Sequence, residues 1–205
     1  MDEVTNSVEL CGSAQDAPAF SHESRGIRFF SFPLDARRLS GAVDSINIIA
    51  RESLLREAAV APGQRLQVLG ELRSFNNKSG RGARLVITVF ARELHTWEGG
   101  DENLVRLTGT VCKEPVLRRT PLGREICDLI LAVPRRYKRS DYIPVIAWGQ
   151  QAREAALCAV GQRLALRGRI QSRHYTKIID GLSFERTAFE LSAGEILALP
   201  DTTLY

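Results

Sequence analysis

Alternation with period two dominates this chain. From Asp141 the sequence reads DYIPVIAWG, and an extended strand sends Tyr142, Pro144, Ile146 and Trp148 to one face and Ile143, Val145 and Ala147 to the other. Residues 163–175 alternate more sharply. Leu164, Leu166, Gly168 and Ile170 fall on one side, and Arg163, Arg167, Arg169, Arg173 and Tyr175 on the other. The Ala-rich segment between the two runs predicts a short helix over 150–159, ended by Gly161. An aliphatic inner face with an outer face of arginines and rings suits a polyanion whose bases can stack, which is single-stranded nucleic acid.

The same order of elements is written twice. Val8-Glu9-Leu10-Cys11-Gly12 corresponds to Val105-Arg106-Leu107-Thr108-Gly109, 97 positions on. At that offset Pro18 meets Pro115, Gly26 meets Gly123, and Asp44 through Ala50 (DSINIIA) meet Asp141 through Ala147 (DYIPVIA). One residue of slippage then aligns PGQRLQVLGEL (62–72) with VGQRLALRGRI (160–170). Each copy predicts a strand (7–12; 104–111), a Pro-containing bend with a short strand near Ala19 or Val116, and a Gly turn. A strand over 27–36 or 125–133 follows, then one over 45–50 or 142–148, a short helix over 52–60 or 150–159 ended by Gly63 or Gly161, and two final strands. Five strands with a helix between the third and fourth is the order of the oligonucleotide/oligosaccharide-binding (OB) barrel. The expectation is an all-β chain of two tandem OB-fold, five-stranded Greek-key domains, over 1–98 and 104–205, with a linker at 99–103 inside TWEGGDEN.

Composition narrows the classes. A chain of 205 residues, 44% hydrophobic and 25% charged, has material for one large or two small cores. No apolar run approaches the roughly eighteen residues of a membrane span, so the expectation is no signal peptide, no anchor and a cytoplasmic location. The four cysteines are widely spaced, which predicts reduced thiols. No metal-ligand spacing is present, and the three histidines are far apart. Net charge is +4; residues 1–100 hold twelve basic and twelve acidic side chains and residues 101–205 hold sixteen and twelve, so the excess lies in the second copy. There is no GxxxxGK(S/T), HExxH or GxSxG, which leaves no chemistry to assign: the expectation is a binding protein without catalytic residues, metal or cofactor.

In the second copy the segments NLVRLTGTV, EPVLRRTPLG, CDLILAV, DYIPVIAWGQQA and GQRLALRGRIQSRHY occur in that order over about residues 103–196. This stretch resembles the bacterial single-stranded DNA-binding proteins and their relative, primosomal replication protein N. The resemblance implies that the family's base-stacking aromatics fall on Tyr137, Tyr142, Trp148 and Tyr175. Tyr137 sits in RRYKRSD, where Arg136 and Lys138 flank it as phosphate partners. Arg118 and Arg119 are candidates for phosphate contact or for ion pairs with Glu114 or Glu125. Arg167, Arg169 and Arg173 share one strand face and repel one another unless an anion, or Glu185 or Glu190, relieves them.

The first copy departs from the pattern. Opposite Tyr142 stands Ser45, opposite Trp148 Arg51, opposite Arg169 Glu71 and opposite Arg118 Ser21, leaving Phe75 and the basic loop NNKSGRGAR. The resemblance further implies single-stranded DNA as the partner, a role in replication, repair or restart, and a homodimer presenting four OB domains, with replication or primosome proteins as further partners. The alternatives are an interaction module whose first domain docks a replication protein, and single-stranded RNA binding.

Overall fold

The computed structural model describes residues 6–77, 85–135, 139–179 and 182–200. They divide into two compact units, one of residues 7–73 with 87–104, the other of the described residues from 105 to 200 with residues 6, 74–77, 85 and 86. The first unit is built on β1 (Asn6–Ala14), β2 (Ala19–Ser24), β3 (Ile27–Arg37), β4 (Val43–Arg51), α1 (Glu52–Glu57), β5 (Arg65–Asn76) and β6 (Leu85–Thr96). The second repeats the series as β7 (Glu102–Val111), β8 (Val116–Arg119), β9 (Glu125–Arg135), β10 (Arg139–Trp148), α2 (Gln150–Ala156), β11 (Arg163–Ile179) and β12 (Leu182–Ala198).

Each unit closes on itself as an OB barrel. In the first the neighbours run β1-β3-β4-β6-β5 and return to β1, and in the second β7-β9-β10-β12-β11 and return to β7. The pairs β4–β6 and β10–β12 are parallel. The inward parity positions fill each barrel: Leu10, Phe32, Leu34, Ile46, Ile48 and Leu66 in the first, and Leu107, Leu131, Ile143, Val145, Leu164 and Ile170 in the second, all fully buried. Closure brings backbones close where the sequence repeat has glycine. A Cβ on Gly12 would run into the carbonyl of Asp35, one on Gly70 into that of Phe90, and one on its repeat partner Gly168 into that of Ser192.

A buried ion pair is repeated as well. Asp44 and Asp141, partners in the sequence repeat, are both fully buried. Arg38 holds Asp44 through two hydrogen bonds of 2.6 Å, and Arg135 lies 3.2 Å from Asp141. Asp141 also accepts the backbone N–H of Ser74 at 2.6 Å, while Ser74 Oγ accepts the N–H of Tyr142 at 2.8 Å.

The helices are three residues shorter than the sequence predicts. Ala and Leu continue past each helix, but Ala59 takes φ 50° and the chain after α2 tightens into bonds from Leu157 N–H to Glu154 and from Cys158 N–H to Ala155. The last strand pair runs further than expected, 17 residues in each strand. Within the predicted linker, Trp97 donates its indole N–H to Gly100 at 2.8 Å and Asp101 pairs with Arg65 at 2.7 Å. The strand β7 already begins at Glu102. All four cysteines are free thiols, and burial pushes Cys11 up to about 11.

Candidate nucleic-acid interface

The outer side of the second barrel carries the predicted ring positions. Because Ile143, Val145 and Ala147 point into the core, the other parity of β10 faces out, and Tyr142, its fourth residue, and Trp148, its last, stand 52% and 38% exposed. Six residues of strand separate them by about 20 Å. Between them Ile146 departs from the expectation, being 4% exposed. Its cross-strand neighbours are Asp128 and Ser192, and Glu190 lies two residues along β12 on the same face. Glu190 accepts from Gln171 at 2.8 Å, so the middle of this face is closed by paired polar side chains and its ends are open.

Tyr175, on the same parity of β11 as Arg169 and Arg173, is half-buried opposite Arg186. The Arg173 guanidinium lies 5.6 Å from its ring centre. Tyr137, Arg136 and Lys138 lie outside the described residues.

The arginines are less free than their spacing suggests. Arg118 pairs with Asp128, its Nε 2.5 Å from the carboxylate, rather than with Glu114 or Glu125. The cause is register: β8 lies antiparallel on β9 with Val116 opposite Asp128 and Arg118 opposite Ile126, so the long Arg118 side chain reaches Asp128 diagonally. This hydrogen bond drives the guanidinium pKa further up. Arg119 reaches Glu125 at 3.1 Å, one of the two pairings open from the sequence. Arg173 lies 3.5 Å from Glu190, as the acidic-neighbour alternative requires, while Arg167 lies 3.6 Å from Glu195. Glu185 instead accepts from the Thr176 hydroxyl at 2.7 Å. Arg169 is exposed and has no ion pair among the described residues.

Sequence reasoning missed two groups. At the Trp148 end, Arg124 and Arg153 join Arg119 and Glu125 around an open pocket of about 520 Å³. Arg153 Nε donates to Glu125 at 2.6 Å, and this bond, followed by that from Arg119, holds the Glu125 carboxyl below its ordinary range. Arg124 and Arg153 belong to separate elements and share no strand pattern, so no local signal joins them. In the first unit, Phe20 is 56% exposed and meets Phe30 edge-on at 5.8 Å, with Arg28 within 5.5 Å of both ring centres. Phe75 is exposed on β5, and residues 78–84 of the basic loop lie outside the described residues. Among the described residues no group of His, Cys, Asp and Glu is placed to hold a metal ion.

The strand order and this face define the class: a protein of two OB barrels, one of them bearing exposed rings and arginines on its outer sheet. The model of the single-strand binding protein family matches residues 102–199. Single-stranded DNA-binding protein B of Bacillus subtilis is 36% identical over 80 residues, which cover 36% of this chain and 71% of that protein. Single-stranded DNA-binding protein 3 of Clostridium acetobutylicum is 39% identical over 80 residues, 36% of this chain and 56% of that protein. The chain thus spans little more than half the length of the clostridial relative. The chain belongs to the single-strand binding protein family. The crystal structure of the single-stranded DNA binding protein from Thermus aquaticus superposes with a TM-score of 0.80 at 21% identity, over 98% of this chain and 96% of that one, so the likeness in fold extends through both barrels.

Proposed function

We propose that this protein binds single-stranded DNA with little sequence preference, on the outer face of its second barrel, and catalyses no reaction. The observation that carries the reading is the pair Tyr142 and Trp148, exposed on one side of a strand whose other side is core. A large ring left in water on a rigid strand offers a flat surface to any base, and each stacked base contributes about 1–3 kcal/mol. Tyr175, with Arg173 beside it, continues the platform along β11. The reading also takes in Tyr137 as a stacking ring and Arg136 and Lys138 as phosphate partners, as the resemblance implies. Phosphates are drawn by Arg169 and, in exchange for their carboxylates, by Arg118, Arg119, Arg167 and Arg173. Duplex binds weakly because its base faces are already stacked.

The reading includes a role in replication, repair or restart, division into domains 1–98 and 104–205, and a cytoplasmic location. Among the described residues no helix is long and apolar enough to cross a membrane. It also includes a two-fold homodimer, the commonest closed symmetry, giving four OB domains, and contacts with replication or primosome proteins.

The test is fluorescence titration with oligo-dT at low and high salt, using the wild type, Trp148→Ala and Trp148→Phe with retained fold checked by circular dichroism. Binding quenches the wild type. Trp148→Ala removes the quenching and weakens affinity about five- to 150-fold, the range of one lost stack, while Trp148→Phe keeps most of the affinity. Wild type that leaves oligo-dT unbound at low salt overturns the proposal.

A further inference from the structure

Three guanidiniums converge at the Trp148 end of the platform, and one carboxylate answers them. Arg119 at the end of β8 and Arg153 on α2 share Glu125, at 3.1 Å and 2.6 Å. Arg124 sits in the turn between β8 and β9. That turn is built rather than loose: Thr120 N–H donates to the Arg124 carbonyl at 2.8 Å, Arg124 N–H donates back to Thr120 Oγ1 at 3.1 Å, and Gly123 takes φ 78°. Arg124 is exposed and has no ion pair among the described residues. The cluster therefore keeps two uncompensated positive charges beside a pocket of about 520 Å³ whose other wall is Trp148 and Gly149, within the size range of small-ligand sites.

An open, cationic pocket walled on one side by an exposed indole matches one chemistry: a phosphate joined through a sugar to a flat base. Arginine forks suit phosphate oxygens in pairs. We infer that this pocket is a nucleotide-phosphate seat, in which Arg124 and Arg153, assisted by Arg119, hold the phosphate of the nucleotide whose base stacks on Trp148. Glu125 sets the charge of the seat by holding two of the three guanidiniums. The inference rests on the proposed single-strand platform and adds residues outside its strand face. The phosphate has two sources, a diester inside the strand or the monoester at a phosphorylated end, and both meet the same guanidiniums.

The experiment titrates the full chain with three oligo-dT strands of equal length, carrying a 5′-phosphate, a 3′-phosphate or no terminal phosphate, over a series of salt concentrations. The variants are Arg124→Ala, Arg124→Ala with Arg153→Ala, and Glu125→Gln. Arg124 is exposed and unpaired, so its variant separates binding from folding. The expected results are about threefold weaker binding for Arg124→Ala, about tenfold for the double variant with a log–log salt slope shallower by about 0.7, as one phosphate is no longer neutralised, and twofold or more tighter binding for Glu125→Gln. A loss equal on all three strands assigns the seat to an internal phosphate, and a loss confined to one phosphorylated end assigns it to that terminus. Wild-type binding with the same affinity and slope in the Arg124 and double variants overturns the seat alone. Wild type that binds none of the strands overturns the platform and the seat with it.

Discussion

Four arginines of the second barrel, Arg118, Arg119, Arg167 and Arg173, already face carboxylates. A phosphate arriving there must exchange with Asp128, Glu125, Glu195 or Glu190. Ion pairs with a solvent-exposed arginine are weak, so a polyanion can displace them, but the attraction it gains is reduced by the cost of parting them. Asp128→Asn keeps the shape at Arg118 and removes the competing charge. It should bind oligo-dT about two- to fivefold more tightly at low salt, with a salt slope steeper by up to about 0.7, as one further phosphate is neutralised. Unchanged affinity in the same fluorescence titration would place Arg118 outside the path of the strand. At this scale the sequence offers some of the pairings among alternatives, Arg119 with Glu125 and Arg173 with Glu190, but not that of Arg118. Tyr142 and Trp148 follow from parity together with the family resemblance, whereas Ile146, of the same parity, is buried. Arg118 meets Asp128 only through the register of β8 on β9, which no local pattern encodes.

Element order is the level at which the sequence is most legible, because strand alternation and the single helix of each copy are local. Element ends are less so. The residues after α1 and α2 remain good helix formers, yet the chain must turn back into the next barrel strand, and Ala59 at φ 50° marks where that demand prevails. The repeated glycines show the same demand on strands. At Gly168 the barrel coils so tightly that any side chain would meet the Ser192 carbonyl, at the point where the β11–β12 register shifts between Arg167 and Gly168. Gly168→Ala should destabilise the second barrel by about 1–3 kcal/mol through this overpacking. Gly194, across the same irregularity, offers a Cβ only an ordinary contact, 3.7 Å from the Arg167 carbonyl, so Gly194→Ala should change stability by less than about 0.5 kcal/mol. Urea unfolding followed by Trp148 fluorescence compares the two, and equal midpoints would show that the close approach at Gly168 is not a constraint.

The chain as a whole carries one fold twice and the exposed Tyr142–Trp148 face once. Both copies keep what the barrel requires: the buried Asp44–Arg38 and Asp141–Arg135 pairs, the glycines at the close approaches, and the parallel closing strand. They part where the barrel does not care, on the outer face. Ser45 and Arg51 occupy the places that Tyr142 and Trp148 hold in the second copy, and the entire net charge of +4 belongs to residues 101–205. On β2 of the first unit the exposed Phe20 packs against Phe30 and under Arg28, which itself pairs with Glu52 at 3.0 Å, and Phe75 is exposed on β5. The Phe20 cluster is smaller than the ring series of the second unit, and its cation is neutralised. The expected stoichiometry is therefore one short strand per chain. Titration with an oligo-dT of about eight nucleotides, within the site size of a single OB fold, should reach equivalence at one strand per chain by calorimetry. Phe20→Ala should alter that affinity less than twofold, whereas Trp148→Ala should weaken it about five- to 150-fold. Two equal sites per chain, or a loss with Phe20→Ala as large as that with Trp148→Ala, would mean that the first barrel replaced its platform on β2 and β3 rather than losing it.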